Sequence, residues 1–133
     1  MFKEIIICII IVLIIIVGNF YIQKYIESAV IESSKNLRGL RVKLQENNNN
    51  SDINVEDINN SYKKTQQEWK NIFSKLAFFV EHTELEKVET SFTALKSYIE
   101  TNKYEDAIEE LDKSEFLLKH IEDKYSLNWQ NIF

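Results

Sequence analysis

Ile5-Ile6-Ile7-Cys8-Ile9-Ile10-Ile11-Val12-Leu13-Ile14-Ile15-Ile16-Val17 is an unbroken apolar run in a chain that is otherwise rich in charge. Extended through Phe20, Tyr21 and Ile22, it gives about eighteen residues with Asn19 as the one strongly polar intruder, close to the roughly twenty that cross a hydrocarbon core about 30 Å thick. A helix buried in a soluble core shows an amphipathic face, whereas this run is apolar all round. A cleaved secretion signal needs a small-x-small site after the apolar stretch. Gly18-Asn19-Phe20-Tyr21 puts bulky side chains there, and Ser28 and Ala29 lie too far downstream. Cys8 has no small residues before it, so it does not resemble a lipid-attachment cysteine. The expectation is an uncleaved anchor over residues 1–23.

Two signals disagree about orientation. Lys24, Lys35, Arg38 and Arg41 follow the span and only Lys3 precedes it, which favours a cytoplasmic body. A short basic tail before an apolar run is, however, the usual signal-anchor layout, with the body exported.

The residues after the anchor are strongly helical in pattern. Ile26, Val30, Ser33, Leu37, Leu40 and Leu44 repeat at four-three spacing, a heptad seam that buries one stripe. This predicts that the first helix continues as a juxtamembrane amphipathic helix over 24–46, projecting roughly 35 Å beyond the bilayer at 1.5 Å per residue. Gly39 weakens it by about 1 kcal/mol relative to alanine without ending it. Asn47-Asn48-Asn49-Asn50-Ser51-Asp52 competes with the backbone for hydrogen bonds and reads as a linker over 47–53, with Ser51 or Asp52 capping the second helix.

Three more helices are expected over 54–133. The second carries Ile58, Tyr62, Thr65, Trp69, Ile72, Phe73, Leu76, Phe79 and Val80. The third starts at Thr83 with Glu86 three residues on, a capping box, and continues through Leu85, Val88, Phe92, Leu95 and Ile99. Thr101-Asn102-Lys103 breaks it. The fourth shows Tyr104, Ala107, Ile108, Leu111, Leu118, Ile121 and Tyr125, widened by Phe116 and Leu117. Glu105, Asp106, Glu109 and Glu110 crowd its first turns, where the helix dipole favours negative charge. Trp129, Ile132 and Phe133 are expected to fold back onto the bundle. Short connections favour antiparallel neighbours. The fold class is therefore all-α, an anchored helix followed by an antiparallel three-helix bundle, or a four-helix bundle if the first helix packs alongside. The absence of proline and the presence of only Gly18 and Gly39 agree with long helices rather than turn-rich sheet.

Charge narrows the partners. The net charge is −5, and the residues from Asn47 onward are acidic while those before it are slightly basic. An acidic body argues against nucleic acid, whose phosphates require a basic surface. Lys35, Arg38, Arg41 and Lys43 form the one acid-free basic stretch. It is either a solvated face balancing the acidic bundle or a contact for anionic lipid headgroups and cell-wall polymers.

Chemistry is sparse. The sole cysteine lies in the apolar run, so neither a disulfide framework nor a zinc cluster is available. A di-iron bundle needs glutamate three residues before histidine, and Phe79 and Leu117 occupy those places before His82 and His120. His82 and Glu86 are spaced to share a metal, yet His82 precedes the expected cap. Two isolated glycines cannot form a phosphate loop. No catalysis, cofactor or metal is expected.

Trp69, the run His82-Thr83-Glu84-Leu85-Glu86-Lys87-Val88-Glu89, Leu95 and the closing Asn131-Ile132-Phe133 resemble a family of short bacterial proteins. These share an N-terminal apolar span and a small helical body classed as a domain of unknown function, largely in spore-forming Gram-positive bacteria. The Asn47 to Asn50 run looks like a local insertion. The resemblance implies an envelope location with an exported body, and association with a larger multi-span membrane protein.

The leading expectation is thus a single-pass, membrane-anchored helical adaptor or accessory subunit of an envelope complex. Its partner would be held by the helical body or on the seam of Ile26, Val30, Leu37, Leu40 and Leu44. The alternative is an envelope domain that senses a small ligand between its helices and signals through a partner. Self-association of the seam into a coiled coil is a third.

Overall fold

The computed structural model describes residues 1–49 and 54–126. Part of the Asn-rich linker, with the cap expected at Ser51 or Asp52, and the apolar close at Trp129, Ile132 and Phe133 lie outside the described residues. Four helices succeed one another: α1 (Phe2–Asn49), α2 (Val55–Leu76), α3 (His82–Glu100) and α4 (Tyr104–Tyr125). They form an all-α, up-down-up-down bundle. α1 packs against α2 and α4, and α3 packs against the same two from the other side.

α1 is one helix throughout. Its apolar first half stands free of the other three helices, with every side chain from Ile5 to Val17 exposed. It is long and apolar enough to cross a membrane. Its second half turns Ile26, Ala29, Val30, Ser33, Leu37, Leu40 and Leu44 inward, the seam read from the sequence plus one small residue. The helix runs three residues past Glu46 because Asn47 supports its end. The Asn47 side chain donates to Lys43 O (2.8 Å) and accepts from the Asn54 backbone N–H (2.8 Å). The asparagine expected to break the helix instead ties its last turn to the start of α2. Asn54 caps α2 through Oδ1, which accepts from Asp57 N at 3.0 Å, satisfying one orphan amide.

The centre of the core is aromatic. Trp69 stacks on Phe92 (5.7 Å between centroids, 11°) and meets Phe73 edge-on (6.2 Å, 73°). Its indole Nε1 donates to Glu89 Oε1 at 2.6 Å, so the buried N–H has a partner, as such groups generally do. Tyr62 donates from its hydroxyl to Phe92 O at 2.9 Å. Burial, reinforced by Glu89 and Glu100, pushes this phenol up to about 12. Between α3 and α4, Ser91 and Ser114 share a hydrogen bond of 2.7 Å. Ser33 Oγ is the one buried side-chain polar atom without a partner among the described residues.

Three local expectations are corrected. α2 ends at Leu76, and Ala77 to Val80 form a turn in which Phe79 N and Val80 N both donate to Leu76 O (2.9 and 2.8 Å). Only Val80 of the two expected core residues is buried, while Phe79 is 43% exposed. α3 begins at His82 with Glu81 at its N-cap and no side-chain cap bond, so Thr83 and Glu86 do not form a capping box. His82 is helical and its Nε2 lies 3.1 Å from Glu86 Oε1, both exposed. Phe116, expected to widen the core face of α4, is 70% exposed. The α3–α4 break is where the sequence placed it. Asn102 adopts φ 56°, a left-handed conformation asparagine tolerates. Lys103 N donates to Tyr98 O and Asn102 N to Ile99 O (2.9 and 3.2 Å), the paired bonds of a Schellman end.

Candidate partner surfaces of the bundle

The two residue sets singled out in the sequence both face the protein's own helices. Ile26, Val30, Leu37, Leu40 and Leu44 are buried in one core with residues of α2, α3 and α4. A stripe that looks unfilled in sequence is filled within the chain, and it offers no free seam to a second protein in this state. Arg38 Nε donates to Glu115 Oε1 of α4 (3.2 Å), and Arg41 forms a bidentate pair with Asp112 of α4. Lys43 reaches Asp57 Oδ1 of α2 at 2.7 Å. The basic stretch is thus mostly matched, charge for charge, to the acidic neighbours it docks against. Lys35 is exposed.

The charges at the start of α3 and the end of α4 are structural in the same way. Lys124 lies 2.6 Å from Glu81 and 3.2 Å from Glu84, and Lys87 reaches Glu84 at 3.3 Å. The hydrogen bond from Lys124, with help from Lys87, holds the buried Glu84 carboxyl below the usual carboxylate range. His120 Nε2 stands 4.0 Å from the same carboxylate. Among the described residues, no three His, Cys, Asp or Glu side chains come together as a metal-ligand set.

Two surfaces remain on which large apolar side chains lie exposed off the core stripes. Between α1 and α4, a groove of about 540 Å³ is lined by Val30, Ile31, Ser34 and Arg38 on one side and by Asp112, Glu115, Phe116, Lys119 and Glu122 on the other. Ile31 and Phe116 are 58% and 70% exposed there. An apolar centre rimmed by charge is the usual anatomy of a protein-binding surface. A second apolar surface lies at the base of the bundle, where the α2–α3 turn meets α1. Phe78 is 83% exposed, and with Phe79 it lines a depression shared with Tyr21, Ile22, Tyr25 and Lys75. The sequence carried a signal for both surfaces. Ile31 and Phe116 fall between the positions of their stripes, and of Phe78 and Phe79 the former lies off the four-three rhythm of α2.

The structure defines the class as an all-α bundle carried on a helix long and apolar enough to span a bilayer. The chain belongs to the family described as Domain of unknown function (DUF4363), whose family model matches residues 20–132. The match therefore takes in the end of the apolar segment and the whole bundle. No curated protein and no solved structure matches the chain.

Proposed function

We propose that this chain is a membrane-anchored, non-catalytic helical adaptor or accessory subunit, and that its partner is a membrane protein held in the α1–α4 groove. The observation that carries this reading is the pairing of exposed Ile31 and Phe116 across a groove on the helix that also bears the apolar segment. Ile31 lies about 9 Å along α1 from Tyr25, close enough to the bilayer for a neighbouring membrane protein to reach. Arg38, Glu115 and Lys119 frame the apolar pair and suit a partner with mixed charge. A ligand between the helices has less support, because those interfaces are filled by Trp69, Phe92 and the leucines of α1.

The test is crosslinking of the full-length protein in intact cells from a photoreactive residue at position 116. An equivalent probe at Lys64, on an exposed face of α2, serves as the control. The expected result is one multi-span protein recovered in near-equal amount from position 116 and not from 64, and lost in Ile31→Asp. Recovery of the chain alone, or the same products from both positions, overturns the adaptor reading.

A further inference from the structure

We propose that the base of the bundle is a lipid-binding site: Phe78 and Phe79, on the turn between α2 and α3, enter the headgroup–acyl boundary of the leaflet in which the apolar part of α1 ends. This rests on reading that part of α1 as a span. Counted from Ile5, the roughly twenty residues that cross a 30 Å core end at Lys24. Helix α1 therefore leaves the hydrocarbon near Ile22 to Tyr25. Phe78 and Phe79 line the same depression as Tyr21, Ile22 and Tyr25, and a neighbouring one with Asn19 and Ile22. The turn is consequently level with the last turn of the span, and the bilayer would meet it without any rearrangement.

The composition at this height is that of an interfacial collar. Tyr21 and Tyr25 supply amphipathic rings of the kind that concentrate where acyl chains meet headgroups, and Phe20, Phe78 and Phe79 supply apolar rings that can bury in the boundary. Lys24 holds its ammonium 5.4 Å from the centre of the Phe20 ring. Lys75 borders the depression on the side of α2. Long basic side chains beside rings can lie along the apolar surface and lift their charge into the headgroups. The charges around the collar nearly cancel: Lys24 and Lys75 stand against Glu27, and Lys124 is taken up by Glu81 and Glu84. The attraction is thus apolar, and anionic lipid is not needed. Continuity with α1 selects the bilayer over a soluble partner, since a soluble protein seated on Phe78 would have to displace the lipid around Tyr21 and Ile22.

The experiment uses the full chain reconstituted in phosphatidylcholine vesicles, with a polarity-sensitive fluorophore on a single cysteine. Phe78→Cys in a Cys8→Ala background probes the turn, Phe116→Cys in the same background is the reference, and native Cys8 reports the span. Both substituted phenylalanines are exposed, and equal melting temperatures establish an unchanged fold. The label at 78 is expected to lose most of its emission to a lipid bearing a nitroxide near the headgroup, and less to one bearing it near the chain end. Addition of phosphatidylglycerol should not alter this, and the label at 116 should be unaffected. Cys8, about 5 Å along α1 from Ile5 and so inside the hydrocarbon near the opposite boundary, should also be quenched. If Cys8 is quenched and position 78 is not, the span stands and the docking proposal fails. A blue-shifted but unquenched label at 78 fails it too, and assigns the cover to protein, either a second copy or the residues after Ser126. If neither site is quenched, the span reading falls and takes the proposal with it.

Discussion

Removing α1 should unfold the rest of the protein, although the other three helices are connected and complete. Ile26, Ala29, Val30, Leu37, Leu40 and Leu44 are core residues contributed by α1, and the last three are wholly inaccessible. Burial of one aliphatic side chain of this size contributes about 1.5–3 kcal/mol, and alanine contributes less. The α1 share is therefore roughly 8–15 kcal/mol, as large as the entire net stability of a typical domain, about 5–15 kcal/mol. Its loss would also strip cover from the faces of α2 and α4 that pack against it. A fragment beginning at residue 24 keeps this packing and omits the apolar segment, whereas one beginning at residue 54 has neither. Urea unfolding of both, followed by circular dichroism and by tryptophan fluorescence, separates the cases. The longer fragment should melt in one cooperative step, and the shorter should show a sloping, non-cooperative loss of helix. A cooperative transition of the shorter fragment at the same urea concentration would refute the reasoning, since it would mean that α1 packs without stabilising.

Other substitutions test separate parts of the packing. Gly39 sits in mid-helix with open space where a Cβ would stand, so Gly39→Ala should stabilise the protein by about 1 kcal/mol, read as a raised urea midpoint. The Arg41–Asp112 pair is partly exposed on both sides; Arg41→Ala should therefore cost under about 1 kcal/mol, and a larger loss would show that the pair positions α4 on α1. The Glu84 carboxyl is held below its ordinary range by Lys124 and Lys87. A depressed folded value adds stability above the unfolded carboxylate pKa, and this is lost as pH falls through the folded value. The stability gap between the native protein and Glu84→Gln should accordingly be widest at neutral pH and close below about pH 4. A gap that is constant with pH would assign the effect of the substitution to something other than this charge.

Helix identity was legible because it is a local property. The four-three spacing from Ile26 to Leu44 and the turn at Thr101 to Lys103 each arise from neighbours a few residues apart, and both stand in the structure. The destination of the seam was not legible. A heptad stripe has the same appearance whether a second protein or the same chain covers it, and the covering residues on α2 and α4 lie tens of positions away. The basic stretch was read as a face balancing the acidic bundle or a contact for an anionic surface, and its particular partners were not legible for the same reason. Arg38 and Arg41 find Glu115 and Asp112 only once α1 and α4 lie antiparallel, and spacing within the stretch carries no trace of that pairing. The end of α2 was hidden by a different cause. Ala77 to Val80 contains no glycine or proline, so a turn that begins with an ordinary helical alanine looks like continued helix. Phe78 was the available warning, because it lies off the four-three rhythm that the rest of α2 follows.

The geometry of α1 links the two proposed surfaces. An unbroken helix from the apolar segment into the core has no hinge, so the bundle cannot swing on the membrane independently of the span. The other three helices pack beside α1, and the α2–α3 turn, together with the end of α4, lies against the end of its apolar segment. Tilting α1 towards the turn would lower Phe78 and Phe79 deeper into the boundary; tilting it away would lift them out. Ordinary span tilts average about 20°, so the collar has enough range to set the direction of tilt as well as to anchor the base. The direction chosen also fixes where the Ile31–Phe116 groove points. A partner recruited to that groove would then meet a surface held at constant height and heading above the bilayer. Loss of the collar should consequently weaken partner capture without touching a single groove residue. In the crosslinking assay from position 116, Phe78→Ser with Phe79→Ser should lower the yield of the partner adduct while leaving the melting temperature unchanged. An undiminished yield would separate the two surfaces and leave the collar with a purely anchoring role.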